Sequence, residues 1–419
     1  MILINGEILD TSAEETYLEG LYDKCLQTLN KESTLTPDKV IAACDTLYHM
    51  VEAGKFETEI SQVLHGTPIT HERFWEMARL FTKENMTYKC QIELGEDFHR
   101  LPDLTSGIHR KYYPLGILFH IAAGNVDGLP AYSVIEGLLT GNINILKLPA
   151  GDNGLSILLL NELIKIEPDI KEYIYVFDVP SADTKSMKMM ADIADGIVVW
   201  GGDEAVQAVR TMADVRTKII DWGHKLSFAY VTEKAADMEL YRLALHVCES
   251  NQVYCSSCQG IFVDTDDPEV LHRMGERFIK HMLNAQKVIG EVPFTFRGQN
   301  TIKLYTDMLE INRKDRILQA EGVSVVIKED RELELSYMFR NVWIKALPHQ
   351  EIFTCLKKHK RHLQTCGLIC AQDERGKLTD LLAKAGVVRI TGGNMSRSVA
   401  GEAHDGTYPL REYCRMVEY

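Results

Sequence analysis

The chain has 419 residues, 45% hydrophobic and 25% charged, a globular mixture that excludes collagenous, low-complexity and membrane-array classes. With 60 acidic and 46 basic side chains the formal net charge is −14, a surface that repels phosphate backbones and argues against a nucleic-acid partner. Ten cysteines are scattered along a long chain rather than framed as in a small secreted scaffold, which reads as reduced cytosolic thiols.

The opening residues, MILINGEILDTSAEE, show no basic n-region, apolar h-region or small-residue cleavage site. No stretch approaches the roughly 18 uninterrupted apolar residues of a membrane span, so a cytoplasmic protein without a span is expected. From about Ala13 to Tyr88 the apolar spacing of YLEGLYDKCLQTL and KVIAACDTLYHMVEA predicts helices, punctuated by Pro37 and Pro68. The polar passage from Lys89 to Tyr113 has no helical period and is expected to form a hairpin or an arm. Beyond Pro114, short apolar runs (GILFHIAA, NINILKL, YIYVFDV, GIVVW, TKIID) alternate with helical patterns of about three turns. That alternation predicts a parallel sheet with right-handed crossovers, and runs apolar on both faces are expected of strands covered on both sides. A second alternation starts at LSFAYV and continues through QGIFVD, a long amphipathic helix ending near Gly290, VSVVIK, NVWIKAL and GVVRIT. The expected organisation is 1–105, a helical N-terminal region with an oligomerisation arm; 106–225, a nucleotide-binding domain; 226–395, a catalytic domain; and 396–419, an aromatic-rich tail that packs on the core or on a partner subunit.

Three features carry chemistry. In ESNQVYCSSCQGIFVD, Cys255 falls between a helix and a strand, where a sulfur is reachable and backbone N–H groups can receive an oxyanion. The competing readings are two buried structural thiols, Cys255 and Cys258, or a CxxC redox or zinc element, which lacks further ligands at short spacing. In VVWGGDEAVQAV, Gly201 and Gly202 join a buried strand to a helix start and suit a dinucleotide pyrophosphate; an ordinary βα turn capped by Asp203 is the plain alternative. A GxGxxG fingerprint is absent, which argues against a standard dehydrogenase Rossmann site. In AAGNVDGLPAYSVIEGLLTGNINILKLP, Asn125 and Lys147 fall at strand carboxyl ends, where open α/β sheets bind ligands. Asn125 suits an oxyanion donor and Lys147 a ribose or phosphate contact; a capping Asn and a solvated Lys are the alternatives.

These features and their order, in YYPLGILFHIAAGNV, GLLTGNINILKLP, IVVWGGDEAV, DWGHKLSFAYV, NQVYCSSCQGIFV and HDGTYPLREY, resemble the aldehyde dehydrogenase superfamily. Within it the chain is most similar to the acyl-CoA reductases typified by the fatty-acid reductase subunit of bacterial luminescence. The likeness runs from about Arg110 to the C-terminus; the first hundred residues carry little of it. The resemblance implies an α/β, aldehyde dehydrogenase-like fold: a doubly wound parallel-sheet cofactor domain plus an α/β catalytic domain. It places the catalytic cysteine on Cys255 and the oxyanion amide on Asn125. Lys147 takes the position of the lysine on the adenosine ribose, and Gly201 and Gly202 that of the turn packed on the pyrophosphate.

Two departures inform the expectation. Asp221 stands where hydrolytic relatives carry the glutamate that activates water, which favours thiol exchange over hydrolysis. Ala150 stands where NAD-using relatives often place a ribose-binding glutamate, which favours NADPH, with NADH as the alternative and Asp152 nearby weighing against it. The implied reaction is NADPH-dependent reduction of an acyl-CoA or acyl-protein thioester to an aldehyde through a cysteine acyl-enzyme. The implied partners are an acyl-activating enzyme and further copies of the chain, and no metal is expected. A hydrolytic aldehyde dehydrogenase and a non-catalytic nucleotide- or partner-binding scaffold are the rival readings. CLKKHKRH (Cys355–His362) is a basic island that reads either as a coenzyme or carrier-protein dock or as the wet face of a helix.

Overall fold

The computed structural model describes residues 1–66, 71–97, 100–105, 107–122, 128–150, 154–309, 316–396 and 399–419. They divide into two compact units. Unit 1 comprises Met1–Val63, Phe74–Gly223 and Ser398–Tyr419, and unit 2 comprises Leu64–Arg73 and His224–Arg397.

Unit 1 contains strands β1 (Ile2–Ile4), β2 (Glu7–Leu9), β3 (Arg100–Leu101), β4 (Arg110–Pro114), β5 (Ile117–Ile121), β6 (Ile143–Lys147), β7 (Ile174–Phe177), β8 (Gly196–Trp200) and β9 (Lys218–Trp222). Its main sheet has the order β2-β1-β7-β6-β5-β8-β9, and the pairs from β7 to β9 are all parallel. The chain steps outward from β5 to β6 and β7, then returns to lay β8 and β9 on the other side of β5. The β5–β8 boundary is therefore a topological switch point, and the crevice outside the strand carboxyl ends there is where such sheets bind ligands. The strands stand in the middle of the unit because both faces are apolar. Phe119, Ile197 and Val199 join one core cluster, while Leu118, Val198 and Ile220 join another with Trp222 and Tyr413.

Two features of unit 1 differ from the sequence reading. Residues 1–63 and 74–97 pack into the same unit as 107–223 rather than forming a body of their own, and Ile2–Ile4 extends the main sheet by pairing antiparallel with β7. The C-terminal strand Cys414–Glu418 pairs antiparallel with β4, Cys414 opposite Pro114 and Glu418 opposite Arg110. Arm and tail thus meet within one chain, in a three-stranded sheet completed by β3.

Unit 2 contains β10 (Leu226–Val231), β11 (Cys258–Val263), β12 (Arg316–Ala320), β13 (Val323–Lys328), β14 (Asn341–Ala346), β15 (Leu363–Ile369) and β16 (Arg389–Thr391). The sheet order is β12-β13-β14-β11-β10-β15-β16, parallel except for β12 with β13. The long helix Pro268–Ile289 is capped by Asp267, whose carboxylate accepts from the Glu269 N–H. It buries Val270, Leu271, Met274, Phe278, Met282 and Ala285, a stripe at three-to-four spacing. No described helix is long and apolar enough to cross a membrane.

Candidate active site

In unit 2 the helix Asp237–Ser250 ends in two left-handed residues, Asn251 (φ 44°) and Gln252 (φ 64°). The chain then turns through residues 253–257 into β11, so the loop sits at the amino edge of its sheet, opposite the edge where ligands usually bind. Cys255 lies on this loop and is the only exposed cysteine of the ten. Buried hydrogen bonds hold the loop. The Ser227 hydroxyl donates to the Cys255 carbonyl at 2.6 Å, and the Thr365 N–H donates to the same Ser227 oxygen at 3.1 Å. Tyr254 and Ser257 exchange bonds, backbone N–H to hydroxyl at 3.1 Å and N–H to carbonyl at 3.0 Å. The Gln252 amide donates to the Cys258 carbonyl (3.1 Å) and accepts from the Asn341 N–H (3.1 Å). Gln259 returns a bond to the Gln252 carbonyl (3.0 Å). A loop tied this way presents its sulfur from a fixed backbone.

Cys258, three residues on, is a different thiol. It is fully buried in β11, its Sγ donates to the Gly260 carbonyl at 3.2 Å, and burial pushes its pKa up to about 12. It stays protonated and serves the core. Gly260 is needed for a related reason: a Cβ there would stand 1.9 Å from the Trp343 ring. Behind the loop, His246 is buried and its pKa is pushed down to about 3 by burial, with the Arg73 charge in the same direction. It is therefore neutral. Its Nε2 lies 3.4 Å from the Cys258 N–H and its Nδ1 3.2 Å from the Ser396 hydroxyl, so the ring is bonded on both sides. Arg73 also faces the loop, its guanidinium 5.7 Å from the centre of the Tyr254 ring.

In unit 1 the predicted cofactor residues gather at the carboxyl edge. Lys147 ends β6 almost wholly buried, with Nζ donating to the Ser181 hydroxyl at 2.9 Å. Burial lowers its pKa, and the Asp178 carboxylate opposes that shift. An ammonium so poor in solvent suits hydroxyl partners such as those of a ribose. Gly201 and Gly202 follow β8, and a Cβ on Gly201 would come within 3.0 Å of Ala205, so the turn packs tightly on its helix. The helices Leu129–Leu139, Leu155–Ile166 and Asp203–Met212 all begin at this edge. Each has a glycine N-cap (Gly128, Gly154 and Gly202) and no side-chain capping bond. The helix Thr184–Ile193, by contrast, is capped by Asp183. A first turn such as that behind Gly128 suits an anion. Asp203 and Glu204 already occupy the first turn behind Gly202, whereas the other two helices carry no acid there. A diphosphate is thus better matched electrostatically to the Gly128 helix end than to the Gly201–Gly202 turn alone. With Lys147 beside them, these residues fit a dinucleotide.

Asn125 and Asp152 lie outside the described residues. Asp221 is exposed on β9 and accepts from Arg210 Nη2 at 3.1 Å, so its charge is already engaged. The basic island is also engaged: Lys358 pairs with both Glu332 oxygens (2.5 and 2.6 Å) and Lys357 donates to the Lys384 carbonyl (3.2 Å). No group of metal-binding side chains occurs among the described residues. Sequence reading missed Ser227, Gln252 and Ser181. A hydroxyl or amide gives no periodic signal, and its partner lies far along the chain.

The family profile described as acyl-CoA reductase (LuxC) matches residues 38–416. The long-chain acyl-protein thioester reductase of Vibrio harveyi is 25% identical over 357 residues, 83% of this chain and 73% of the relative. The protein of that name from Aliivibrio fischeri is 25% identical over 322 residues, 74% of this chain and 65% of the relative. This chain thus spans about two thirds to three quarters of these two relatives. Among solved structures, the glyceraldehyde-3-phosphate dehydrogenase GapN of Methanocaldococcus jannaschii, complexed with NADP, superposes with TM-score 0.71 at 14% identity. That match covers 99% of this chain and 95% of that one. A betaine aldehyde dehydrogenase of Staphylococcus aureus, in complex with NAD+, gives TM-score 0.71 at 13% identity, covering 100% and 91%. The fold is that of the aldehyde dehydrogenases.

Proposed function

The chain belongs to the acyl-CoA reductase (LuxC) family, and from that membership we propose that it reduces an acyl thioester to an aldehyde through an acyl-enzyme on Cys255, with NADPH as reductant. The observation that carries this reading is the contrast among the thiols. One of ten is exposed, on a loop braced by Ser227 and Gln252, while its neighbour Cys258 is sealed in a strand.

The Cys255 thiolate attacks the thioester carbonyl carbon. A carbon–sulfur bond forms, the carbonyl oxygen becomes an oxyanion, and the bond to the departing thiol then breaks, that thiolate taking up a proton. Backbone N–H groups of the loop and, by family resemblance, the Asn125 amide are assigned to the oxyanion. When bound, the reduced nicotinamide cofactor supplies the two-electron hydride for the carbonyl carbon. Cys255 then lets go of the resulting thiohemiacetal carbon, so that aldehyde leaves and the thiol is recovered. Lys147 and Ser181 would hold the adenosine ribose, and the Gly128 and Gly202 helix ends would receive the diphosphate. Ala150, where no carboxylate stands, supports the 2′-phosphate of NADPH; Asp178 facing Lys147 is the feature that would favour NADH. The relatives' name supports a long-chain acyl group carried on a protein.

Stopped-flow mixing of enzyme, long-chain acyl-CoA and NADPH tests the reading. It predicts loss of absorbance from the reduced cofactor with one aldehyde formed per cofactor consumed, and none with Cys255→Ala, which still binds NADPH. Equal turnover by that variant would contradict it.

A further inference from the structure

Trp200 is the last residue of β8, at the switch point and directly before Gly201. Its indole is held by a chain of bonds whose direction can be read. The Asn144 side-chain amide donates to the carbonyls of Asn142 (2.7 Å) and Tyr173 (3.3 Å), so its Oδ1 is the acceptor 3.0 Å from His120 Nε2. His120 is fully buried and burial pushes its pKa down to about 4, so it is neutral with the proton on Nε2. Its Nδ1 then accepts from the Ser133 hydroxyl (2.7 Å), which leaves the Ser133 oxygen to accept from Trp200 Nε1–H (3.1 Å). On the other side the Trp222 ring lies 5.6 Å away at 36°. His404 stands edge-on to both indoles, at 5.2 and 4.8 Å. Trp200 remains only half-buried, so part of this pre-oriented indole is accessible next to the Gly201–Gly202 turn.

We propose that Trp200 stacks on the nicotinamide ring of the bound cofactor, and that Ser133, His120 and Asn144 act as positioning residues that fix the attitude of its indole. The inference rests on the cofactor reading above. The nicotinamide end is chosen over the adenine end because Lys147, assigned to the adenosine ribose, stands on β6. Two strand spacings, about 10 Å, separate it from β8. Holding the ring flat before the chemical step removes disorder that hydride transfer would otherwise have to overcome.

The test is calorimetric titration of the full chain with NADPH and with 2′-phospho-ADP-ribose, which lacks only the nicotinamide. Trp200→Ala is expected to weaken NADPH about tenfold and to leave 2′-phospho-ADP-ribose unchanged. Trp200→Phe should restore most of the loss, and Ser133→Ala should weaken NADPH alone by a few-fold. Equal weakening of both ligands, or of neither, in a folded Trp200→Ala would overturn the assignment; should that variant fold poorly, equal weakening of both ligands or of neither by Ser133→Ala would overturn it instead. If the unmodified protein binds neither ligand, the cofactor reading fails and this inference with it.

Discussion

Cys255 and Cys258 carry the same side chain three residues apart, one exposed and one buried. The thiol in β11 has lost its solvent and is held protonated, whereas the one on the loop meets water. Iodoacetamide at neutral pH is therefore expected to alkylate Cys255 first and Cys258 only after unfolding, checked by peptide mass spectrometry. Ser227 links two segments through one oxygen. Ser227→Ala removes both bonds, and we expect kcat to fall roughly tenfold from loosened positioning with KM for the thioester little changed. Two buried histidines set a pH limit. His120 and His246 stay neutral when folded, to about pH 4 and 3, but protonate near pH 6.5 when unfolded. As pH falls below about 6.5 the unfolded chain binds more protons than the folded one, so their contribution is intact above that value. It is lost progressively toward the folded pKa values, at about 1.4 kcal/mol per unit for each group. Urea midpoints should be lower at about pH 5 than at about pH 7.5, and His120→Gln should remove about one proton from that slope. None of these partners was legible in the sequence. Ser227 and Cys255 are 28 residues apart and Gln252 and Asn341 are 89 apart, distances over which no local pattern operates.

At the scale of elements, the parallel strands were legible because GIVVW or YIYVF, apolar on both faces, has few stable alternatives to a sheet covered by helices on both sides. Ile2–Ile4 was not, because three apolar residues have no measurable period until β7 supplies an edge. Polar residues in or next to a strand, Asn144 inside β6 and Asn142 just before it, also break the apolar pattern. They are tolerated because each is bonded to backbone carbonyls or N–H groups. Arg340 shows how the ends of two helices in unit 2 are joined. Its guanidinium is buried and donates to the Gln286 side chain (3.0 Å), the Gly290 carbonyl (2.6 Å) and the Cys248 carbonyl (3.3 Å), near the carboxyl ends of Pro268–Ile289 and Asp237–Ser250. The negative helix ends offset its charge. Arg340→Met is expected to leave those acceptors unpaired and to destabilise unit 2 by about 2–4 kcal/mol. A lower urea midpoint and faster alkylation of Cys258 in the folded protein would record it.

At the scale of the whole molecule, the family profile reaches from residue 38 nearly to the C-terminus, and the net charge of −14 sets the kind of partner that can approach. An acidic carrier would be repelled at long range, so thioester turnover should rise with ionic strength up to about 0.15 M if the carrier is acidic and change little with a neutral one. Asp221 pairs with Arg210, and the proposed reading assigns it no part in activating water. With aldehyde and NADP+, acid release should be slow without a thiol acceptor and rapid thioester formation should appear when one is added; fast hydrolysis would favour the rival aldehyde dehydrogenase reading. The central claim is that cargo is carried on one sulfur. Intact and peptide mass spectrometry after mixing the enzyme with a long-chain acyl thioester, with reduced cofactor withheld, tests it most directly. The account predicts a single added acyl group on the peptide bearing Cys255, discharged as aldehyde when NADPH is supplied. An unmodified enzyme that nonetheless makes aldehyde, or an acyl group on any other residue, would contradict it.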